Sequence, residues 1–126
     1  MGWRYLKLHL DYVENYPVMI SIKAFRTLAL SFPGAEELPH FEKTSFRVKK
    51  KIFATVDAVK GIATLKLSEI DQSVFCSYDK SIIYPVPNKW GKQGWTHVVL
   101  KKVPKEMVLD ALDTAYKQVL NSGKKK

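Results

Sequence analysis

The chain is 126 residues long, one domain's worth, and 46% of it is hydrophobic, enough for a single two-layer core. Lys and Arg number 21 against 12 Asp and Glu, a formal charge of +9 that favours polyanionic partners: nucleic acid, anionic lipid or acidic protein. No run of about 18 apolar residues offers a membrane-spanning helix, no secretory leader is expected at the start, and a lone cysteine, Cys76, forms no internal disulfide, so a reducing cytoplasm is the expected setting.

Residues 1–20 carry two periods at once. Leu6, Leu8, Leu10 and Tyr12 alternate as in a strand, while Trp3, Leu6, Leu10 and Val13 fit a helix, so strand and helix both stay open for this N-terminal extension. Ser21 then caps a predicted helix whose stripe is Ile22, Phe25, Leu28, Ala29 and Phe32, stopped by Pro33-Gly34. A loop containing Pro39 follows. From Thr44 the period becomes two, with Phe46 and Val48 on one side and Ser45 and Arg47 on the other. The β-forming run Ile52–Val56 comes directly after Lys49, Lys50 and Lys51, which predicts a hairpin with a lysine turn. Ile62–Leu67 is a third strand, with Ala63, Leu65 and Leu67 on one face.

Ser68 caps a predicted short helix with Glu69 and Asp71 in its first turn and Ile70 and Val74 facing inward. Ile82–Val86 is a strand that lies at an edge or ends at Pro85, because proline donates no ladder hydrogen bond. A basic, glycine-bearing loop spans 87–94, and Trp95–Leu100 is the last strand. Pro104 opens a long helix with the stripe Met107, Val108, Ala111, Leu112, Ala115, Tyr116 and Val119, ending near Gly123. Residues 122–126 are expected to be a disordered basic tail, leaving one domain over 21–121. The whole predicts an α+β two-layer sandwich: a mainly antiparallel sheet of about five strands, helices on one face, and the other face open to a partner.

Alternation sends Arg47, Thr64, Lys66, Trp95 and His97 to that open face, with Lys49, Lys50 and Lys51 in one turn and Lys89, Trp90 and Lys92 in a loop beside it. Cations contact phosphates and aromatic rings stack on exposed bases, so the ten of these other than Thr64 form the candidate nucleic-acid surface. Other readings stay open: Trp95 as a core aromatic, and the lysine run as a solvated turn or as protection of a sheet edge. No short ligand pair links His9, His40, His97 and Cys76, so no metal is expected. No glycine elbow surrounds Ser45, no phosphate loop or dinucleotide fingerprint occurs, and neither a cofactor nor catalysis is expected. The competing functions are a protein-interaction or regulatory module using Trp90 and Trp95, and a small-molecule or enzymatic site near His97, Lys66 and Ser45.

Leu28-Ala29-Leu30-Ser31-Phe32-Pro33-Gly34-Ala35-Glu36-Glu37, Ser45-Phe46-Arg47-Val48, Lys51-Ile52-Phe53-Ala54, Leu65-Lys66-Leu67, Pro85 to Pro87, Gly94-Trp95 and Ala115-Tyr116 follow in order. In this the chain resembles the MmcQ/YjbR family of small bacterial proteins over about residues 21–120. The resemblance implies a CyaY-like, or frataxin-like, fold and DNA binding through a double-wing arrangement of strands and loops. The long start and the lysine tail depart from that pattern. Oligomeric state and the choice between DNA and RNA stay open.

Overall fold

The structure is a computed structural model that describes residues 20–122. The expectations for the extension and the basic tail lie outside the described residues, apart from Ile20 and Ser122. Helix α1 (Ile22–Leu30) starts as the sequence predicts, with the Ser21 hydroxyl accepting the Ala24 amide at 3.0 Å. Phe25 and Ala29 are buried, and the Phe25 ring meets Phe46 edge-on at 5.9 Å. Six strands follow rather than five: β1 (Glu36–His40), β2 (Lys43–Val48), β3 (Lys51–Asp57), β4 (Ile62–Lys66), β5 (Ile83–Pro85) and β6 (Trp95–Val99). Helix α2 (Glu69–Cys76) joins β4 to β5, the four-residue α3 (Lys89–Lys92) lies between β5 and β6, and α4 (Lys105–Ser122) closes the domain.

The sheet runs β1-β2-β3-β4-β6-β5, and every neighbouring pair is antiparallel. The added strand β1 occupies the segment expected to be a loop. It is an edge strand with Pro39 in its ladder opposite Thr44, a position where a missing N–H is tolerated. Short β5 forms the other edge and ends at Pro85.

Helices α1 and α4 cover one face. Phe46, Ala63, Leu65 and Val98 are buried beneath them, as the alternation requires. In β3 a bulge breaks strict alternation: Phe46 opposes Ala54, Arg47 opposes Ile52, and Phe53 is left between. Phe53 and Ala54 therefore both face the helices. The Phe53 ring lies edge-on to Tyr116 of α4 at 5.4 Å and to Phe32 at 6.2 Å, while Phe32 stacks on Tyr116 at 4.7 Å. The Tyr116 hydroxyl donates to the Pro33 carbonyl, which satisfies its polar end and locks the Pro33-Gly34 stop against α4. Arg26 of α1 makes two hydrogen bonds to Glu37 of β1, at 3.2 and 2.9 Å, across the surface of this layer.

Helix α2 faces the core differently from the sequence expectation. Ile70 is 77% exposed and Val74 is exposed as well, whereas Phe75 and Cys76 are buried. The helix is oriented by Gln72, whose amide nitrogen lies within hydrogen-bond distance of the Gly91 and Trp95 carbonyls and the Thr96 hydroxyl, at 3.0, 3.2 and 3.0 Å. Satisfying these polar groups turns Ile70 outward.

Both hairpin turns on the β2 side use unusual residues. His40 opposes Lys43, so Phe41 and Glu42 are the central pair, and Phe41 alone has positive φ, at 61°. That is the II′ pattern, which favours glycine at the first central position. Val48 opposes Lys51, and both Lys49 and Lys50 have positive φ, at 52° and 70°. That is the I′ pattern, which favours Asn-Gly. Each L-residue held there costs about 1–2 kcal/mol. The double variant Lys49→Asn/Lys50→Gly should therefore be more stable than the parent by about 1–2 kcal/mol in chemical denaturation, with an unchanged m-value. A loss of stability would show that the two lysines make compensating contacts.

Candidate functional site: the uncovered sheet face

Because the pairing is antiparallel throughout, one line of directly opposed residues crosses all six strands on the uncovered side: Leu38, Ser45, Thr55, Thr64, His97 and Tyr84. At the usual strand spacing that line is about 24 Å long. Lys66 and Trp95 oppose each other in the next row towards the β2–β3 turn, and Arg47 opposes Ile52 and Glu36. A trough of about 720 Å³ occupies this side, and among the described residues none of α1, α2 or α4 lines it. Thr55, Thr64 and His97 form its centre, with Ile52 and Trp95 on one flank and His40 and Lys43 on the other. Phe41, 93% exposed at the β1–β2 turn, and Val86, Pro87, Asn88 and Trp90 supply its walls.

The trough centre carries little charge. His97 Nδ1 and the Thr64 hydroxyl share a hydrogen bond of 2.9 Å, and the Tyr84 ring lies edge-on to the imidazole at 5.5 Å. Burial, and after it the charges of Lys43 and Lys60, hold the imidazole below its ordinary value of 6.5. His97 is therefore neutral at neutral pH.

The cations expected on the face lie mostly at one end of it. Antiparallel pairing brings the β2–β3 turn, the end of β4, the end of β5 and the start of β6 together. Lys49, Lys50 and Lys51 are exposed at that turn, Lys66 ends β4, and Lys89 and Lys92 are exposed on α3. Among the described residues, none of these six lysines is held in an ion pair; the ion pairs are Arg26–Glu37 and Lys117–Asp113. Lys66 is the most constrained. Its ammonium donates to the Gln93 carbonyl and sits 5.9 Å from the centre of the Trp95 ring, and burial pushes its pKa below the ordinary lysine value. It helps fix the loop that carries Trp90, where Lys89 lies 5.7 Å from the ring centre. The loop has little freedom elsewhere: a Cβ on Gly94, at φ 103°, would strike the Leu67 carbonyl, and one on Gly91 would strike that of Val86.

Two predicted residues are occupied by internal contacts. Ser45 is fully buried and donates to the Leu38 carbonyl at 2.8 Å. Arg47 is half-buried, and its Nε donates to the Ser45 hydroxyl at 3.0 Å. The trio His97, Lys66 and Ser45 thus does not converge: of the three, His97 lines the trough. The structure adds Phe41, Lys43, Thr55 and Ile52, which the sequence pattern does not assign. Phe41 and Lys43 are hidden in the sequence because nothing in it marks the β1–β2 hairpin. Among the described residues, no group of three or more His, Cys, Asp or Glu could hold a metal ion, and no helix is long and apolar enough to cross a membrane.

A family model, YjbR, matches residues 30–118. A solved structure of the Deinococcus radiodurans protein DR2400, with the family domain DUF419, superposes with a TM-score of 0.75 at 23% identity, covering 86% of this chain and 84% of that one. That likeness establishes the α+β fold. No curated protein matches the sequence.

The environment of His97 gives the site a pH signature. The unfolded chain protonates this imidazole near pH 6.5, before the folded chain does, so the stability it contributes is present above that pH and is lost as pH falls through it. The His97 ring resonances should titrate with a midpoint below 6.5 by NMR, and His97→Gln should flatten the decline in Tm between pH 7 and pH 5. A midpoint above 6.5 would mean that an acidic group faces the ring.

Proposed function

We propose that this chain, which belongs to the YjbR family, binds nucleic acid, DNA first, weakly and without sequence readout, as a binding protein rather than an enzyme. The observation that carries the reading is the gathering of Lys49, Lys50, Lys51, Lys66, Lys89 and Lys92 at one end of the sheet face opposite α1 and α4, which also presents Trp90, Trp95 and His97. Phosphates would meet the exposed lysines of the β2–β3 turn and α3, which point to solvent with no carboxylate partner among the described residues. Such contacts are electrostatic and indifferent to base sequence, and correspond to dissociation constants of about 10⁻⁴–10⁻⁶ M at physiological salt. The strained lysine turn fits the same reading, because an unfavourable backbone retained at two adjacent cations is more readily explained by what their charges contact than by stability.

Titration of labelled duplex and single-stranded DNA at several salt concentrations tests this. Affinity should fall steeply with salt. Replacing Lys49, Lys50 and Lys51 together by alanine should weaken binding to all sequences alike and reduce the salt slope by about 0.9 for each phosphate that is no longer neutralised. No binding at low salt, or binding indifferent to salt, contradicts the proposal.

A further inference from the structure

We propose that the trough on the uncovered face is a stacking site for the unpaired bases of a single strand. This rests on the nucleic-acid reading above and narrows it. The geometry divides the surface into two chemically different parts. One is the lysine end, suited to phosphates. The other is the trough, whose ring-bearing and apolar lining includes Phe41, Ile52, Trp90 and Trp95, with Lys43 as its one cation among the described residues. A duplex keeps the faces of its bases within its own stack and offers phosphates, sugars and base edges outside. It would engage the lysines and leave the rings of the trough against backbone. A single strand offers phosphates and base faces together, and so uses both parts.

Three details point the same way. Phe41 is 93% exposed and Trp90 is 49% exposed, with Lys89 over part of its ring, so two rings stand on opposite walls of the trough in reach of a ligand. Phe41 is held out by a backbone conformation that favours glycine, with its ring edge-on to His40 at 4.9 Å. Between the walls the floor is formed by the buried Thr55 and Thr64 and by a neutral His97 whose Nδ1 is bonded to the Thr64 hydroxyl, so it presents no fixed charge to a base. The occupant is thus a chain of planar heterocycles joined by anionic links, complementary to an apolar centre beside a cationic end.

The test compares the full chain with three ligands by fluorescence anisotropy in about 50 mM and 200 mM salt: an oligothymidylate of about 12 nucleotides, an abasic strand of equal length, and a duplex of equal length. The oligothymidylate should bind about fivefold or more tightly than the abasic strand, since the two differ in bases and not in phosphates. Trp90→Ala and Phe41→Gly, both at exposed positions, should each reduce that preference while leaving abasic binding unchanged; the alanine triple variant of Lys49, Lys50 and Lys51 should weaken all three ligands in parallel. Equal affinity for thymidylate and abasic strands overturns the stacking site and leaves the nucleic-acid reading standing. Absence of binding to all three overturns both. Thymidine monophosphate binding as tightly as the oligonucleotide would assign the trough to a free nucleotide and overturn the single-strand assignment. Self-association that shields Trp90 would assign it to a second copy of the chain, with the same consequence.

Discussion

Antiparallel pairing of β3, β4 and β6 is the constraint on which everything else depends. With α1 and α4 on one side, each strand must turn its apolar set towards them, and the side chains between must face the other way. Ala63, Leu65 and Val98 fix the inward parity, and Thr64, Lys66, Trp95 and His97 follow as its complement. A slip of one residue in either pairing would carry leucine and valine into water and bury a lysine and a histidine. The bulge at Phe53 belongs to the same constraint. It lets two successive residues face the helices, where Phe53 meets Tyr116, and returns Ile52 to the uncovered side opposite Arg47.

The second consequence of the pairing is positional. Neighbouring antiparallel strands alternate their turns between the two ends of a sheet, so the β2–β3 turn and the β5–β6 connection must emerge together. Residues about forty apart along the chain, Lys49–Lys51 and Lys89–Lys92, therefore share one end. The connection is rigid there. Gln72 binds its carbonyls from α2, Lys66 binds it at Gln93, and Gly91 and Gly94 pack against backbone too closely for any side chain. Trp90 is thus presented from a fixed support, which limits the ordering cost of binding on this wall.

Sequence is most informative where one side of an element is buried. The stripe from Met107 to Val119 and the alternation of Phe46, Val48, Ala63 and Leu65 are written by the core, and they also supply the outward set Arg47, Lys66, Trp95 and His97. It is least informative at the rims. Strand β1 is exposed on much of its length and includes Pro39, so no periodicity marks it, and the hairpin that presents Phe41 and Lys43 has the sequence pattern of a loop. Helix α3 has four residues, too few to carry a period. In helix α2 the helical spacing of Ile70 and Val74 points to the wrong inward face, because the contact that orients the helix comes from Gln72, a residue type that carries no burial signal. The partition of the uncovered face into a lysine end and an aromatic trough is not legible in the sequence, because alternation assigns a residue to a face and says nothing about which turns share an end.

The most direct test maps backbone and indole amide NMR shifts of the full chain on addition of a single-stranded oligonucleotide. The outward residues of β3, β4 and β6, the indoles of Trp90 and Trp95, and the amides of Lys49, Lys50 and Lys51 should shift together, while the surface of α4 between Lys105 and Ser122 stays still. Shifts confined to α1 and α4, with Thr55, Thr64 and His97 unmoved, would contradict binding at the uncovered face.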